Sequence, residues 1–158
     1  MSTLVLEHQY PYLHPITIQL PFERVTARAI IVRARDAALI GTKHHKGAKY
    51  ALPGGGLNDG EKPTNALIRE LNEENIFLHG IDEKWQERVA LDYFNDYREL
   101  AFWYVMKVDS ATIGVSENIE TRWIYLHEDV WYPQMREKIM LHLRQYVPTL
   151  VFNFPKSY

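Results

Sequence analysis

The chain has 158 residues, of which 46% are hydrophobic and 24% are charged, and its formal net charge is -2. These values predict one soluble globular domain with a sizeable core, and so small a charge gives no reason to expect nucleic acid or an anionic membrane as a partner. The sequence contains no cysteine, which excludes disulfides, thiolate zinc sites and cysteine nucleophiles.

The N-terminal third is predicted to contain an extension and a hairpin. Prolines interrupt residues 1–22, which we interpret as an N-terminal extension that adds a strand or covers a partner. Residues 25–32 become continuously apolar, as a buried strand does, and a turn leads to residues 38–42, which predicts a hairpin. A polar, basic loop follows at residues 43–49.

The stretch 54–76 begins with a glycine run and continues into a predicted helix. Pro63 suits the first helical turn, because its missing N–H has no partner there, and Asn75 suits a left-handed C-terminal end. The spacing of Glu70, Glu73 and Glu74 puts them on one face of the helix. Like charges so placed weaken an isolated helix by about 0.2–0.5 kcal/mol per pair, so a hard divalent cation is the simplest reason for them.

The C-terminal half alternates between predicted strands and a final helix. A short strand is predicted at residues 76–78, an antiparallel pair at 85–94 and 100–108, and another strand at 121–126. Apolar residues at helical spacing predict a helix over 131–147. The tail 149–158 is apolar enough to be expected to pack on the body, and nothing indicates a second domain within residues 1–158.

A longer pattern contains the acidic helix and resembles the Nudix box, G-x5-E-x7-R-E-U-x-E-E-x-G-U, in which U is a bulky aliphatic residue. It is carried by Gly55, Glu61, Arg69, Glu70, Leu71, Glu73, Glu74 and Ile76. Asn75 is taken as the counterpart of the family's second glycine. This alignment omits the single variable position before that glycine, since strict counting from Arg69 would place the glycine at Ile76 and the last aliphatic position at Phe77. Asparagine tolerates a positive φ better than most residues, so we expect the site geometry to be kept. Alone, this acidic face would be interpreted as a solvated surface.

The resemblance implies a fold and an activity. The fold is α/β, a Nudix-type α/β/α sandwich with a mixed β-sheet. The activity is hydrolysis of a pyrophosphate bond by water attack at phosphorus, in a nucleotide sugar, a dinucleotide or a nucleoside triphosphate. A nucleotide sugar of the GDP-mannose type is slightly preferred over the triphosphate. Mg²⁺ is the implied cofactor, with Mn²⁺ as a substitute. The alternative is a catalytically weak Nudix domain that binds or senses a nucleotide.

The resemblance also implies roles for individual residues. Glu70 and Glu74 correspond to direct metal ligands, and Glu73 to a ligand or to the group that activates water. The Gly54 carbonyl corresponds to a backbone ligand of the family. Arg69 is expected to orient a carboxylate and is counted with the catalytic residues.

Three further acidic residues are assigned less directly. Glu61 is expected to brace the loop against the helix. Glu120 precedes Trp123 in an E-T-R-W run that resembles an E-x-x-W pattern late in Nudix domains, near which some members place a further ligand or a general base. Glu117 competes for that role, and an acidic surface loop is an equally good interpretation of both.

Basic residues upstream of the box are candidates for substrate binding. Arg28 stands among apolar residues on the first main strand, where an arginine needs a partner or a cleft. Lys43 and Lys49 belong to the basic loop and are candidates for contacting phosphates, although a solvated loop is the more common interpretation.

Aromatic residues and the apolar ends of the chain suggest two further properties. Base-stacking candidates are Tyr93, Phe94, Tyr97, Trp103 and Tyr104, although sheet core is the favoured role for each. The N-terminal strand and the apolar tail are compatible with a homodimer. With no cysteine, no membrane-length apolar run and no visible signal peptide, the chain is expected in the cytoplasm.

Overall fold

The computed structural model describes residues 2–6, 16–20, 24–82, 89–94 and 99–146, with side chains described for 24–82 and 99–144. The strands are β1 (Ser2–Leu6), β2 (Ile16–Leu20), β3 (Arg24–Arg33), β4 (Leu39–Lys43), β5 (Gly54–Gly56), β6 (Ile76–His79), β7 (Val89–Phe94), β8 (Glu99–Val108), β9 (Ser110–Ile113) and β10 (Glu120–Ile124). The helices are α1 (Pro63–Glu73) and α2 (Pro133–Tyr146).

The main sheet is mixed. Its strand order is β10–β4–β3–β8–β7, and β5 pairs with β3 away from this path. The central strands β3 and β8 run parallel, whereas the other pairs are antiparallel. Two smaller sheets accompany it, one of β1 and β2 and one of β6 and β9.

A helix packs on each face of the sheet, because successive residues of a strand point to opposite sides. On one side Ala27, Ala29 and Ile31 share a buried cluster with Ala66, Leu67 and Leu71 of α1. On the other side Ile30, Val32 and Trp103 share a cluster with Met135, Ile139 and Leu143 of α2. The expected α/β/α sandwich with a mixed sheet is therefore confirmed.

The ends of α1 agree with the sequence prediction. Pro63 occupies the start of the helix, and Asn75, just beyond its end, has a φ of 57°. The Asn75 side chain donates a hydrogen bond of 3.3 Å to the Val115 carbonyl. The positive φ expected for Asn75 is confirmed.

Other predictions differ from the structure or lie outside its described part. β9 was not predicted, and the predicted strand 121–126 is observed as β10. Trp103 and Tyr104 are buried in the sheet core, which is the role favoured from the sequence. The side chains of Tyr93 and Phe94, the residue Tyr97, the turn 95–98 and the tail 149–158 lie outside the described residues. Neither described helix has the length and apolar character needed to cross a membrane.

Candidate active site

Glycines allow α1 and β3 to approach the short strand β5 closely. Gly54 lies opposite Arg28 and Gly55 opposite Ala27. Gly54 has a φ of 132°, and a Cβ atom there would lie 2.1 Å from the Ala27 carbonyl oxygen. A Cβ atom on Gly55 would lie 2.4 Å from the carboxyl carbon of Glu70. Position 54 therefore requires glycine, whereas a side chain at position 55 would displace the Glu70 carboxylate from the loop backbone.

Glu74 is a buried carboxylate, with 2% of its surface exposed. Its Oε1 atom accepts a hydrogen bond of 3.0 Å from the Gly54 N–H, whereas Oε2 is buried and has no hydrogen-bond partner among the described residues. Burial raises the pKa of this carboxyl to about 7, against the opposing effect of the Gly54 hydrogen bond. A buried, half-partnered carboxylate is costly to ionise unless a cation accompanies it.

Arg69 connects the loop to the helix. Its Nε and Nη2 atoms donate to both oxygens of Glu61 at 3.0 and 2.9 Å, and Nη2 also donates to the Gly56 carbonyl at 2.8 Å. Its Nη1 atom donates to Glu70 at 2.9 Å and to Glu73 at 3.3 Å. Arg69 lowers the pKa of Glu61, the carboxyl that it holds bidentately. The expected bracing position of Glu61 is the one observed.

The three carboxylates lie along one end of α1 but differ in their surroundings. Glu74 is buried, Glu70 is bound by Arg69, and the side chain of Glu73 is 59% exposed. Across the described residues, no three His, Asp or Glu side chains are arranged as a group that could hold a metal ion. The predicted helical spacing is present, with Arg69 Nη1 donating to both Glu70 and Glu73 and the Gly54 N–H donating to Glu74.

The donor chemistry of this site nevertheless fits a hard divalent cation. The available ligand atoms are carboxylate and carbonyl oxygens, which Mg²⁺ and Mn²⁺ prefer. The unpartnered Oε2 of Glu74 is the buried atom that such a cation would satisfy.

The sequence matches the NUDIX domain family over residues 23–145. The chain belongs to the Nudix family. This membership confirms the resemblance and, with it, the assignment to a family of pyrophosphohydrolases. A search of the curated proteins found no significant match.

Solved structures with the same fold support the family assignment. A bifunctional NMN adenylyltransferase/ADP ribose pyrophosphatase from Francisella tularensis has a TM-score of 0.64 and 20% identity, over 81% of this chain and 42% of that one. A Nudix hydrolase from Nitrosomonas europaea has a TM-score of 0.55 and 17% identity, over 82% and 96%. A UDP-X diphosphatase has a TM-score of 0.57 and 17% identity, over 82% and 65%. The chain thus spans under half of the Francisella protein. At these identities the similarity shows the fold.

Arg28 of this Nudix domain has protein partners at both outer nitrogens. Nη2 donates to Glu99 at 2.9 Å, and Nη1 donates to the Leu52 carbonyl at 3.2 Å. Nε is buried without a hydrogen-bond partner among the described residues. Glu99 was not among the residues singled out from the sequence. The only available signal was an acidic residue directly before the apolar run 100–108.

The remaining predicted residues lie on the β4–β10 side of the Nudix site. Lys43 and Glu120 face each other in the β4–β10 register and form an ion pair of 2.9 Å. Lys43 and the Tyr50 hydroxyl lower the pKa of Glu120. Lys49 is exposed, so its side chain is accessible to an anion, and burial does not hold it in one position.

His44 belongs to the same basic loop, residues 43–49, as Lys43 and Lys49. Desolvation, followed by the charge of Arg28, lowers the pKa of His44, while the charge of Glu70 opposes this shift. These influences place His44 within electrostatic reach of Arg28 and Glu70.

Proposed function

We propose that this Nudix protein hydrolyses the pyrophosphate bond of a nucleoside diphosphate derivative, with a nucleotide sugar preferred over a nucleoside triphosphate. The observation that carries the proposal is Glu74, a buried carboxylate with one oxygen that has no hydrogen-bond partner among the described residues, beside the glycine loop of a Nudix box whose acidic positions are all present. The UDP-X diphosphatase and the ADP ribose pyrophosphatase that share the fold act, by their descriptions, on nucleoside diphosphate compounds.

Glu70, Glu74 and the Gly54 carbonyl are the proposed metal-binding groups, and Glu73 is either a further ligand or the group that activates the water. Mg²⁺, or Mn²⁺ in its place, would neutralise phosphate charge and align the attacking water when bound. A structure of the Francisella protein, part of which shares this fold, was solved in complex with AMP and a manganese ion.

The protein groups then divide the remaining work. The exposed Glu73 carboxylate, or Glu120, accepts a proton from the attacking water. The water oxygen bonds to phosphorus, the bond from phosphorus to the bridging oxygen breaks, and two phosphate-bearing fragments leave. Arg69 keeps Glu70 and Glu73 at the end of α1 through Nη1. Orientation of this kind can account for several kcal/mol of a reaction barrier, on the order of 7–11 in the best cases.

Arg28, Lys43 and Lys49 are the proposed substrate-binding residues. Lys49 is exposed on the basic loop, and Lys43 is paired with Glu120. Arg28 keeps one buried N–H without a partner in the described part of the chain. A substrate phosphate would compete with Glu120 for Lys43 and would free the Glu120 carboxylate.

A screen for released phosphate tests the proposal. Nucleotide sugars, dinucleotides and nucleoside triphosphates are each incubated with the full chain and Mg²⁺. For the first two classes, an added phosphatase that attacks only terminal phosphates releases inorganic phosphate from the products, and this phosphate is measured. Pyrophosphate release reports the third class. The expected result is turnover of a nucleotide sugar that requires a divalent cation.

The second candidate function is nucleotide binding or sensing with weak catalysis. Calorimetric binding of a nucleotide, with no turnover in Mg²⁺ or Mn²⁺, would favour it over the enzyme. The intact acidic positions of the box support the enzyme. A cytoplasmic location and a homodimer belong to the same proposal, and sedimentation of the full chain tests the second of these.

A further inference from the structure

A buried ion pair joins the two central strands next to the glycine loop. In the β3–β8 register Arg28 lies opposite Trp103, while Glu99 lies opposite Arg24. The two side chains therefore extend along the sheet to meet across an offset of four residues, about 13 Å of strand. They meet at 2.9 Å with 13% and 5% of their side-chain surfaces exposed.

Arg28 and its neighbour fasten three consecutive loop residues. The Arg28 Nη1 atom donates to the Leu52 carbonyl at 3.2 Å, and the Ala29 N–H donates to the Pro53 carbonyl at 3.0 Å. Arg28 is also the β-sheet partner of Gly54. These contacts hold residues 52–54 in the position from which the Gly54 N–H donates a hydrogen bond to Glu74.

The shape and the burial of the pair make it hard to replace. A guanidinium can donate to two partners in fixed directions, whereas an ammonium is a single point charge. Removing one member of a buried pair leaves an uncompensated charge, which is strongly destabilising. If Glu99 were absent, Arg28 would have to find another anion or water, and its hold on Leu52 would loosen.

We infer that Glu99 is a positioning residue for the metal-binding loop, acting through Arg28. Glu99 fixes the Arg28 fork, and the fork fixes Leu52 and, with it, the Gly54 backbone that borders Glu74. The inference rests on the proposed function to the extent that this loop binds a cation.

The test is a titration of the metal-free full chain with Mn²⁺, in which electron paramagnetic resonance reports the free ion. Arg28→Lys keeps the charge but removes the fork, and Glu99→Gln keeps the shape but removes the charge. The dissociation constant for Mn²⁺ is expected to rise about tenfold in each, the lower end of the effect of groups that support metal ligands. The double variant should bind no more weakly than Arg28→Lys alone, because both changes break one connection.

Asp36→Asn is the matched control, because Asp36 forms an ion pair of 2.8 Å with Arg33 at the far end of β3. It should lower the melting temperature and leave Mn²⁺ affinity unchanged. Raising the Mg²⁺ concentration should recover much of the turnover lost in Glu99→Gln, because Glu99 is not among the proposed substrate contacts.

Two results would overturn the inference, and they can be distinguished. If Arg28→Lys and Glu99→Gln bind Mn²⁺ as the wild-type chain does, with only a lower melting temperature, the pair is structural and the proposed function stands. If the wild-type chain binds no Mn²⁺, the positioning role and the metal-dependent function fail together.

Discussion

The Oε1 atom of Glu74 accepts a hydrogen bond of 3.0 Å from the N–H of Gly54, twenty residues earlier in the chain. This contact joins the end of α1 to the glycine loop without using the second carboxylate oxygen. Because Glu74 is buried, the protein must either protonate it or bring a cation to it. The protonation state of Glu74, and the residues that hold its carboxylate in place, therefore determine how the chain responds to pH and to divalent cations.

The stability of the metal-free chain should fall between pH 4.5 and pH 7. The pKa of Glu74 is raised from 4.5 to about 7, mainly by burial and also by the charges of Glu70 and Glu73, with Arg28 and the Gly54 N–H opposing. In this range the folded chain keeps a proton that the unfolded chain has lost, so the free energy of unfolding decreases as pH rises. The full change corresponds to about 3 kcal/mol.

Thermal unfolding of the metal-free chain at several pH values measures this decline. Glu74→Gln cannot ionise and should have a flatter profile over the same range. Saturating Mn²⁺ should also flatten the wild-type profile, since a cation favours the ionised carboxylate. Parallel profiles for the wild-type chain and the variant would contradict the assignment of the raised pKa to Glu74.

Arg69→Lys should lower turnover at least tenfold, the scale expected when a group that orients metal ligands is removed. Lysine keeps the charge but cannot bind both Glu61 oxygens while also contacting Gly56 and Glu70. The measurements are kcat and the melting temperature at saturating Mg²⁺. Arg144→Lys, an exposed position on α2, is the matched control and should behave as the wild type. Equal kcat values for the two variants would exclude an orienting role for Arg69.

Asn75→Gly should keep activity and leave stability within about 0.5 kcal/mol of the wild type, since two effects oppose each other. Glycine relieves the cost of a positive φ, but the variant loses the hydrogen bond to Val115, worth about 0.5–1.5 kcal/mol. Asn75→Ala loses the bond and keeps the strain, so it should be destabilised by about 1–3 kcal/mol. Denaturant unfolding compares the two. An alanine variant as stable as the glycine variant would mean that the left-handed conformation is not what selects asparagine.

The fold was largely predictable because its elements carry strong local signals. Pro63 and Asn75 marked the ends of α1, and the continuous apolar run of β3 indicated a strand buried on both faces. β9 was missed because Ser110–Ile113 is four residues long and alternates between exposed and half-buried positions. The strand is defined mainly by its pairing with β6, which the local sequence does not show.

The acidic residues of the site could be predicted from the sequence, but their burial and their contact partners could not. Helical spacing placed Glu70, Glu73 and Glu74 on one face, but it could not indicate that only Glu74 is buried, because that depends on the approach of the glycine loop. The partnership of Arg28 and Glu99 spans 71 positions. It arises from the parallel β3–β8 register, which leaves no local pattern in the sequence.

Glu120→Gln should lower kcat by about 10²–10⁴-fold if Glu120 is the general base. Its ion pair with Lys43 lowers its pKa, which keeps the carboxylate ionised but makes it a weaker base, so the role requires that a substrate phosphate draw Lys43 away. Rates of the wild type and of Glu120→Gln are compared across pH. Glu117→Gln is the parallel variant, since Glu117 competes for the role. Wild-type turnover by Glu120→Gln at every pH would remove this residue from the mechanism and leave Glu73 as the base.

The role of Glu74 is tested most directly by the turnover of Glu74→Gln. The substrate is the best one from the phosphate-release screen, and Mg²⁺ is at saturation. Glutamine keeps an oxygen that can accept the Gly54 N–H but lacks the charge that would hold a cation. The variant is expected to fold and to have a kcat lower by orders of magnitude, whereas Glu137→Gln, the control at an exposed position on α2, should have wild-type activity. Wild-type kcat in Glu74→Gln would contradict the central claim that this buried carboxylate is part of the metal-dependent hydrolytic site.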